Sequence, residues 1–483
     1  LWRAMARDDE FLFEVAQKAL LSGPANDVET VLYRQEILKD CLQNPTVIVE
    51  LYNLAVETIE KARKNWWGMT SHHPSSILYS SADLLEMLVE MLKRLKGIAD
   101  AHAGRFKSDG FTALFALLKK ELSDDYLASV QGHLTISKFR RGILLSAELG
   151  SSNESANLVL RKLPAKKQKW LDRILSKGPP AYTFRLDERD QAGARIVSNL
   201  RHRGISRVAI ALAESADHVM GFFKMLRTEL AFYVGCTRLY GRLMSEQQPL
   251  CFPTPIPPGE RKHHFQELYD VCLSLRMQRR VVGNTADADN KNLVIITGAN
   301  QGGKSSFLRS VGLAQMMMQC GMFVGAEAFE GELCPVLCTH YKREEDATMK
   351  SGKFDEELAR MSDIVDHIAA NSMLLFNESF AATNEREGSE IAKQMVSALL
   401  EKQVKIFYVT HLYEFAHDLF DGKRDDALFL RAERQPDGTR TFRMVEGEPL
   451  ETSYGEDLYH RIFDLNEPFQ NQPPAVANST GRG

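Results

Sequence analysis

The sequence predicts a multidomain protein: a mainly α region built on long helices, followed by an α/β domain with a parallel sheet. Three features carry this. Two long stretches in the first half repeat apolar residues at three- and four-residue steps, the spacing of one helical face. A Pro-rich break follows, with Pro249, Pro253, Pro255, Pro257, Pro258 and Gly259 inside residues 246–260. After residue 261, short β-rich runs alternate with helical stretches, as strand–helix–strand units do.

Residues 1–245 read as helical. Within 83–98, Leu84, Leu85, Leu88, Met91, Leu92, Leu95 and Ile98 form one stripe; within 212–244, Met220, Phe223, Leu226, Leu230, Tyr233 and Tyr240 form another. Between them, residues 133–200 are mixed and contain Ser151-Ser152-Asn153 and Gly178-Pro179-Pro180, so a smaller insert between two long helices is expected. This stretch is basic. Residues 161–207 hold 13 Lys/Arg against 4 Asp/Glu, in a chain whose net charge is −4. A local excess of cations in an acidic chain points to a polyanion or, equally, to a solvated lysine-rich face. The α/β domain is expected over 261–468, and the polar Pro- and Gly-containing tail, 469–483, is expected to be disordered.

Composition narrows the class. With 44% apolar and 26% charged residues the chain has the make-up of a globular protein, and no run of 18 apolar residues offers a membrane span. The N-terminus, Leu1-Trp2-Arg3-Ala4, lacks Met and a signal-peptide pattern, so a trimmed start is open. Seven unpatterned cysteines read as reduced and intracellular, hence cytoplasmic. Cys334, Cys338 and His340 raise zinc, but two thiols and one imidazole lack a fourth ligand, which favours ordinary strand cysteines.

The chemistry lies in three strand ends. Leu293-Val294-Ile295-Ile296 precedes Thr297-Gly298-Ala299-Asn300-Gln301-Gly302-Gly303-Lys304-Ser305-Ser306, and a helix follows to Cys320 with a stop at Gly321. This is a P-loop, Gly-x-x-x-x-Gly-Lys-Ser, between a strand and a helix. Its glycines let backbone N–H groups face phosphate oxygens at the helix N-terminus. Lys304 would reach the β- and γ-phosphates of ATP, and Ser305 would offer its hydroxyl to Mg²⁺. The apolar strand Met373-Leu374-Leu375-Phe376 ends in Asn377-Glu378, the Walker B arrangement. Glu378 would orient and deprotonate the attacking water. Asn377 stands where an Asp is expected, and a neutral amide holds Mg²⁺ less strongly than a carboxylate. Lys405-Ile406-Phe407-Tyr408-Val409 ends in Thr410-His411, which places His411 to meet the γ-phosphate or that water.

On these residues the chain resembles the MutS family. Its phosphate loop reads Thr-Gly-x-Asn-x-Gly-Gly-Lys-Ser-Thr, matched here by Gly298, Asn300, Gly302, Gly303, Lys304 and Ser305, with Ser306 in the last place. Ser351-Gly352-Lys353-Phe354-Asp355-Glu356-Glu357 opens a helix as the family's signature helix does, and Ser351, displaced by one residue, is the counterpart of the Ser that contacts the opposite subunit's nucleotide. Residues 379–388 occupy the family's post-Walker-B loop but diverge from its Gly-Arg-Gly-Thr-Ser form. Thr410-His411 and Ser453-Tyr454-Gly455 match two further family motifs, and Tyr269 lies where the family contacts the base.

The resemblance covers about residues 262–465 by motif and the earlier part by architecture. It implies an ABC-type ATPase of the MutS kind with lever helices and a DNA-holding clamp. It further implies ATP and Mg²⁺ as cofactors, homodimerisation through the ATPase domain, and contact with other repair proteins. In the clamp, Lys166, Lys167, Lys169, Arg173, Arg201 and Arg203 would touch the phosphates of duplex, mismatched or branched DNA, a kind of contact that positions without reading sequence. The implied role is in mismatch repair or a related repair or recombination process. Full MutS proteins carry a mismatch-reading domain with a Phe-x-Glu wedge before the levers. Here Phe265-Gln266-Glu267 and Phe354-Asp355-Glu356 fit that tripeptide only beside or inside the ATPase domain, so wedge reading is not expected and the chain resembles the shorter relatives. Two alternatives stay open. One is a nucleotide-gated DNA-binding protein with little turnover, because of Asn377. The other is a different ABC-type ATPase of chromosome maintenance, which would carry a Leu-Ser-Gly-Gly signature that this sequence lacks.

Overall fold

Capping side chains set where several helices begin. Asp9, Ser108 and Ser123 each accept a hydrogen bond from the backbone N–H three residues on. The structure, a computed structural model, describes all residues except 67–72, 140–141, 152–154, 162–184, 188, 343–351, 436–437 and 451–483. The chain divides into two compact units, Glu36–Thr237 and Leu1–Gln35 with Arg238–Gly483.

The unit Glu36–Thr237 is helical. It holds the end of α3 (Val28–Gln43), then α4 (Pro45–Trp66), α5 (Pro74–His102), α6 (Asp109–Glu121) and α7 (Asp124–Ser137). The predicted stripe of α5 turns inward: Leu84, Leu85, Leu88, Met91 and Leu95 are buried. After α7 come two antiparallel strands, β1 (Leu144–Leu149) and β2 (Ser155–Arg161), and then α8 (Gln191–Ser245). At 55 residues, α8 extends about 80 Å at 1.5 Å per residue. Leu145 of β1 lies against Gly204 of α8, where an added Cβ would sit 2.5 Å from Leu145 Cδ2. Leu78 of α5 and Ile205 and Ala209 of α8 form a small core beside that contact. The expected mixed insert thus contains the end of α7, a hairpin and the start of α8 among its described residues. Lys166, Lys167, Lys169 and Arg173 fall outside them.

The other unit contains α1 (Trp2–Ala6), α2 (Glu10–Ser22) and the first half of α3, which helical periodicity alone groups with the long helices. Non-local bonds explain the difference. Ala25 N–H donates to Gln319 O at 2.8 Å, Gln319 Nε2 donates to Ala25 O at 3.0 Å, and Arg238 Nη1 donates to Ala6 O at 3.2 Å. The Pro-rich segment is more than a linker. It includes β3 (Thr254–Ile256), which lies at one end of a four-stranded sheet ordered β3-β7-β4-β5, with β4 (His263–Leu268), β5 (Asn284–Asp287) and β7 (Ala328–Glu332). An edge strand tolerates Pro255 because its missing N–H need not serve a central ladder. The short α9 (Val271–Met277) lies between β4 and β5 in sequence.

The main sheet has six strands in the order β12-β11-β6-β10-β9-β8. They are β6 (Leu293–Gly298), β8 (Leu337–Tyr341), β9 (Met373–Asn377), β10 (Lys405–Val409), β11 (Ala427–Arg434) and β12 (Arg440–Glu446), parallel except for β11 with β12. Four helices accompany it: α10 (Lys304–Gln319), α11 (Lys353–His367), α12 (Glu385–Glu401) and α13 (Tyr413–Asp421). Consecutive residues Leu293, Val294, Ile295 and Ile296 are all fully buried, so both faces of β6 are covered, as a central parallel strand requires. The three strands named from the sequence are present as β6, β9 and β10, within a mixed α/β architecture. No helix of the described residues is long and apolar enough to cross a membrane.

Candidate functional site

Strand register gathers the site. Val409 of β10 pairs with Ile296 of β6 on one side and Asn377 of β9 on the other. The three motifs therefore leave the sheet at one level, along the carboxyl edge where open α/β sheets bind ligands. Glu378 N–H donates to Val409 O at 2.9 Å and Thr410 N–H to Ile296 O at 3.1 Å, extending the ladder to the site itself.

The phosphate loop is shaped by close packing. Gly298 and Gly303 have φ of 103° and 94°, left-handed values that side chains resist. At Gly302 an added Cβ would lie 2.7 Å from Ala432 Cβ of β11, and at Gly298 it would lie 2.9 Å from Ala432 N. The neighbouring strand thus demands glycine as much as a phosphate would. Lys304 opens α10 and turns back on the loop, donating from Nζ to Gly298 O at 2.8 Å and Ala299 O at 3.0 Å. Burial pulls its pKa down to about 8; the Glu378 carboxylate works against that shift and the Arg440 charge works with it.

Ser305 Oγ donates to Asn377 Oδ1 at 2.9 Å. Hydroxyl and amide oxygens are the donor type Mg²⁺ takes, so the pair fits the ion, although Asn377 brings no charge. Glu378 follows with φ of 54°. His411 Nε2 lies 2.8 Å from Glu378 Oε1, and this hydrogen bond, more than any other influence, holds the Glu378 carboxyl below its usual range. An ionised carboxylate of lowered basicity orients water well, by accepting its hydrogen bond.

Asn300, Gly302, Gly303, Lys304, Ser305, Ser306 and Glu378 line one cavity of about 560 Å³. Its other walls mix the apolar Leu268, Leu273, Met277, Val281, Val282 and Phe442 with the polar Asp270, Arg279, Arg280 and Asn284. Tyr269 also lines it but is buried under Gly325, where an added Cβ would be 2.8 Å from the ring, and its hydroxyl has no hydrogen-bond partner among the described residues. Phe442, at φ 62° and 47% exposed, presents an open aromatic ring instead. Sequence reasoning misses Phe442 because it arrives on an antiparallel edge strand far along the chain; its only local signal is an aromatic residue between Thr441 and Arg443.

Behind Glu378 a buried network ties α11 to the sheet. Phe380 N–H donates to Glu357 Oε2 at 3.2 Å, and Tyr408 Oη donates to Ser379 O at 2.9 Å. His340 stands between, with Nε2 3.1 Å from Glu357 O and Nδ1 2.6 Å from Ser379 Oγ; burial lowers its pKa, so the ring is neutral. His340 is thereby engaged away from any metal. Cys334 Sγ is taken up by Gln319 Oε1 at 3.1 Å. Among the described residues the thiols of Cys334 and Cys338 join no metal-binding group. Ser351 and Ser453-Tyr454-Gly455 lie outside the described residues. Arg201 and Arg203 lie exposed on α8, and Arg201 Nη2 donates to Tyr79 Oη at 2.8 Å.

Comparison with known proteins agrees with the geometry. Residues 26–246 match the MutS2 N-terminal domain, and residues 294–462 match MutS domain V. The chain is 25% identical over 271 residues to MutS protein homolog 4 of Mus musculus, covering 54% of this chain and 26% of that protein. It is 31% identical over 156 residues to the endonuclease MutS2 of Thermus thermophilus, 32% of this chain and 21% of that protein. It is 26% identical over 197 residues to the DNA mismatch repair protein MutS of Leuconostoc citreum, 40% of this chain and 23% of that protein. The aligned part thus spans about a quarter of the length of these relatives. With family models matching both its helical and its α/β part, the chain belongs to the MutS family and carries that family's ABC-type ATPase domain.

Proposed function

We propose that the protein binds Mg·ATP in the cavity beside the phosphate loop, hydrolyses it, and couples that cycle to holding DNA as a homodimeric clamp in mismatch repair or a related repair process. The observation that carries the reading is the convergence of Lys304, Ser305, Glu378 and His411 at one edge of the sheet. In the proposed reaction the loop N–H groups and Lys304 hold the phosphates, and Ser305 and Asn377 would hold Mg²⁺, whose charge would offset that developing on them. Glu378, steadied by His411, orients the attacking water. The apolar walls and Phe442 accept the base. DNA enters the reading through the basic stretch and through the mismatch-repair role named for the Leuconostoc citreum relative.

ATP turnover with and without homoduplex, mismatched and branched oligonucleotides tests it, with Lys304→Ala as control. DNA-stimulated turnover that the control loses is the expected result; turnover indifferent to every DNA, or retained in the control, would refute it. Asn377 favours a second reading, a nucleotide-gated clamp with little turnover. On that reading Asn377→Asp raises hydrolysis about tenfold or more, since a carboxylate secures the ion better, while ATP affinity changes little.

A further inference from the structure

The phosphate loop has a second cation beside it that the reaction above does not use. Arg440, the first residue of β12, donates from Nη1 to Gln301 Oε1 at 3.2 Å. Its Nε is enclosed and has no hydrogen-bond partner among the described residues. Gln301 lies inside the loop at φ 58°, a left-handed conformation that a residue with a side chain resists and that needs something to hold it. A held loop residue and an enclosed donor without a partner among the described residues meet at the place where the loop turns.

We propose that Arg440 is a positioning residue of the nucleotide site: it clamps Gln301 so that the loop presents one conformation, and it supplies a fixed positive charge for a nucleoside triphosphate. The proposal rests on the nucleotide-site reading. It acts from β12, on the far side of β11 from the strand that carries the loop. Arginine suits the task because its guanidinium keeps its charge and its planar fork holds an amide oxygen in a fixed direction.

The test uses the full chain and Mg·ATP and Mg·ADP, with affinities from calorimetry at several salt concentrations and kcat and KM from turnover. The variants are Arg440→Gln and Arg440→Lys, with Lys304→Ala as the control expected not to bind and thermal unfolding as the check on folding. Arg440→Gln is expected to weaken ATP about tenfold, the size of one charge-assisted interaction. It should weaken ADP less, flatten the salt dependence of ATP binding, and raise KM with kcat near wild type. Arg440→Lys restores the salt dependence and part of the affinity. Wild-type ATP affinity in Arg440→Gln overturns the proposal alone, as does an equal loss of ATP and ADP with unchanged salt dependence, the mark of a merely structural contact. A wild-type protein that binds nucleotide no better than Lys304→Ala overturns the nucleotide-site reading and this proposal with it.

Discussion

Lys405 starts β10 with its ammonium buried and donating to Ala288 O at 3.1 Å. Burial brings its pKa down to about 8, with Glu332 and Asp289 opposing the shift. Between about pH 8 and the ordinary lysine value near 10.5 the unfolded chain therefore holds more protons at this site, and stability rises with pH across that window. At neutral pH the buried charge costs about 3 kcal/mol. Lys405→Met removes that cost and leaves one carbonyl without its donor, so a net gain of about 1–2 kcal/mol is expected at pH 7. Denaturant midpoints at pH 7 and pH 10 check it. The rise between them should shrink in the variant, while Lys304 retains its own share; an unchanged rise would count against the assignment. Residues such as Lys304, Ser305, Glu378 and His411 are legible in the sequence because their chemistry is written into contiguous motifs at strand ends. Lys405 gives no such sign, because a charged residue opening a strand reads as solvent-facing until the chain around it is folded.

The hairpin of β11 and β12 does more than extend the sheet. Ala432 packs against Gly298 and Gly302, and Phe442 and Arg440 flank the loop from the same hairpin. Gly302→Ala should therefore disturb the loop through Ala432, at a cost of about 1–3 kcal/mol for overpacking. Adding Ala432→Gly should recover part of the loss, but not all, because Ala299 O lies 2.9 Å from the same added Cβ. A double-mutant cycle on thermal stability and ATP affinity reads the coupling, and strict additivity would show that the two residues do not meet. The three strands that carry the motifs are legible from short apolar runs ending in polar residues, and the sheet's carboxyl edge follows from those ends. The hairpin's role is not, since antiparallel pairing on an outer strand brings distant residues to the loop without any local period.

At the scale of the molecule, α8 carries Arg201 and Arg203 exposed within the basic stretch that the sequence singles out. If they touch DNA phosphates, replacing both with Ala weakens binding to every DNA sequence alike. The slope of log affinity against log salt should fall by about one for each arginine that engages a phosphate. Fluorescence anisotropy with a labelled duplex measures it, and an unchanged slope would remove these two residues from the DNA surface. The order of helical then α/β sequence is legible from the stripes and the β-rich runs, but the division is not: the units part at Arg238 inside α8, and the first 35 residues join the later unit. No periodicity in α1 or α2 tells a helix which distant segment will cover its apolar side.

That assignment has a consequence for synthesis on the ribosome. Met5, Leu12, Ala16 and Leu20 are fully buried, in a unit whose remaining chain begins only at Arg238. About 200 residues must emerge between the two, which at roughly 5–20 residues per second takes about 10–40 s. Throughout that interval the part of α2 that the later chain covers waits open, available to any chaperone that recognises nascent hydrophobic helices.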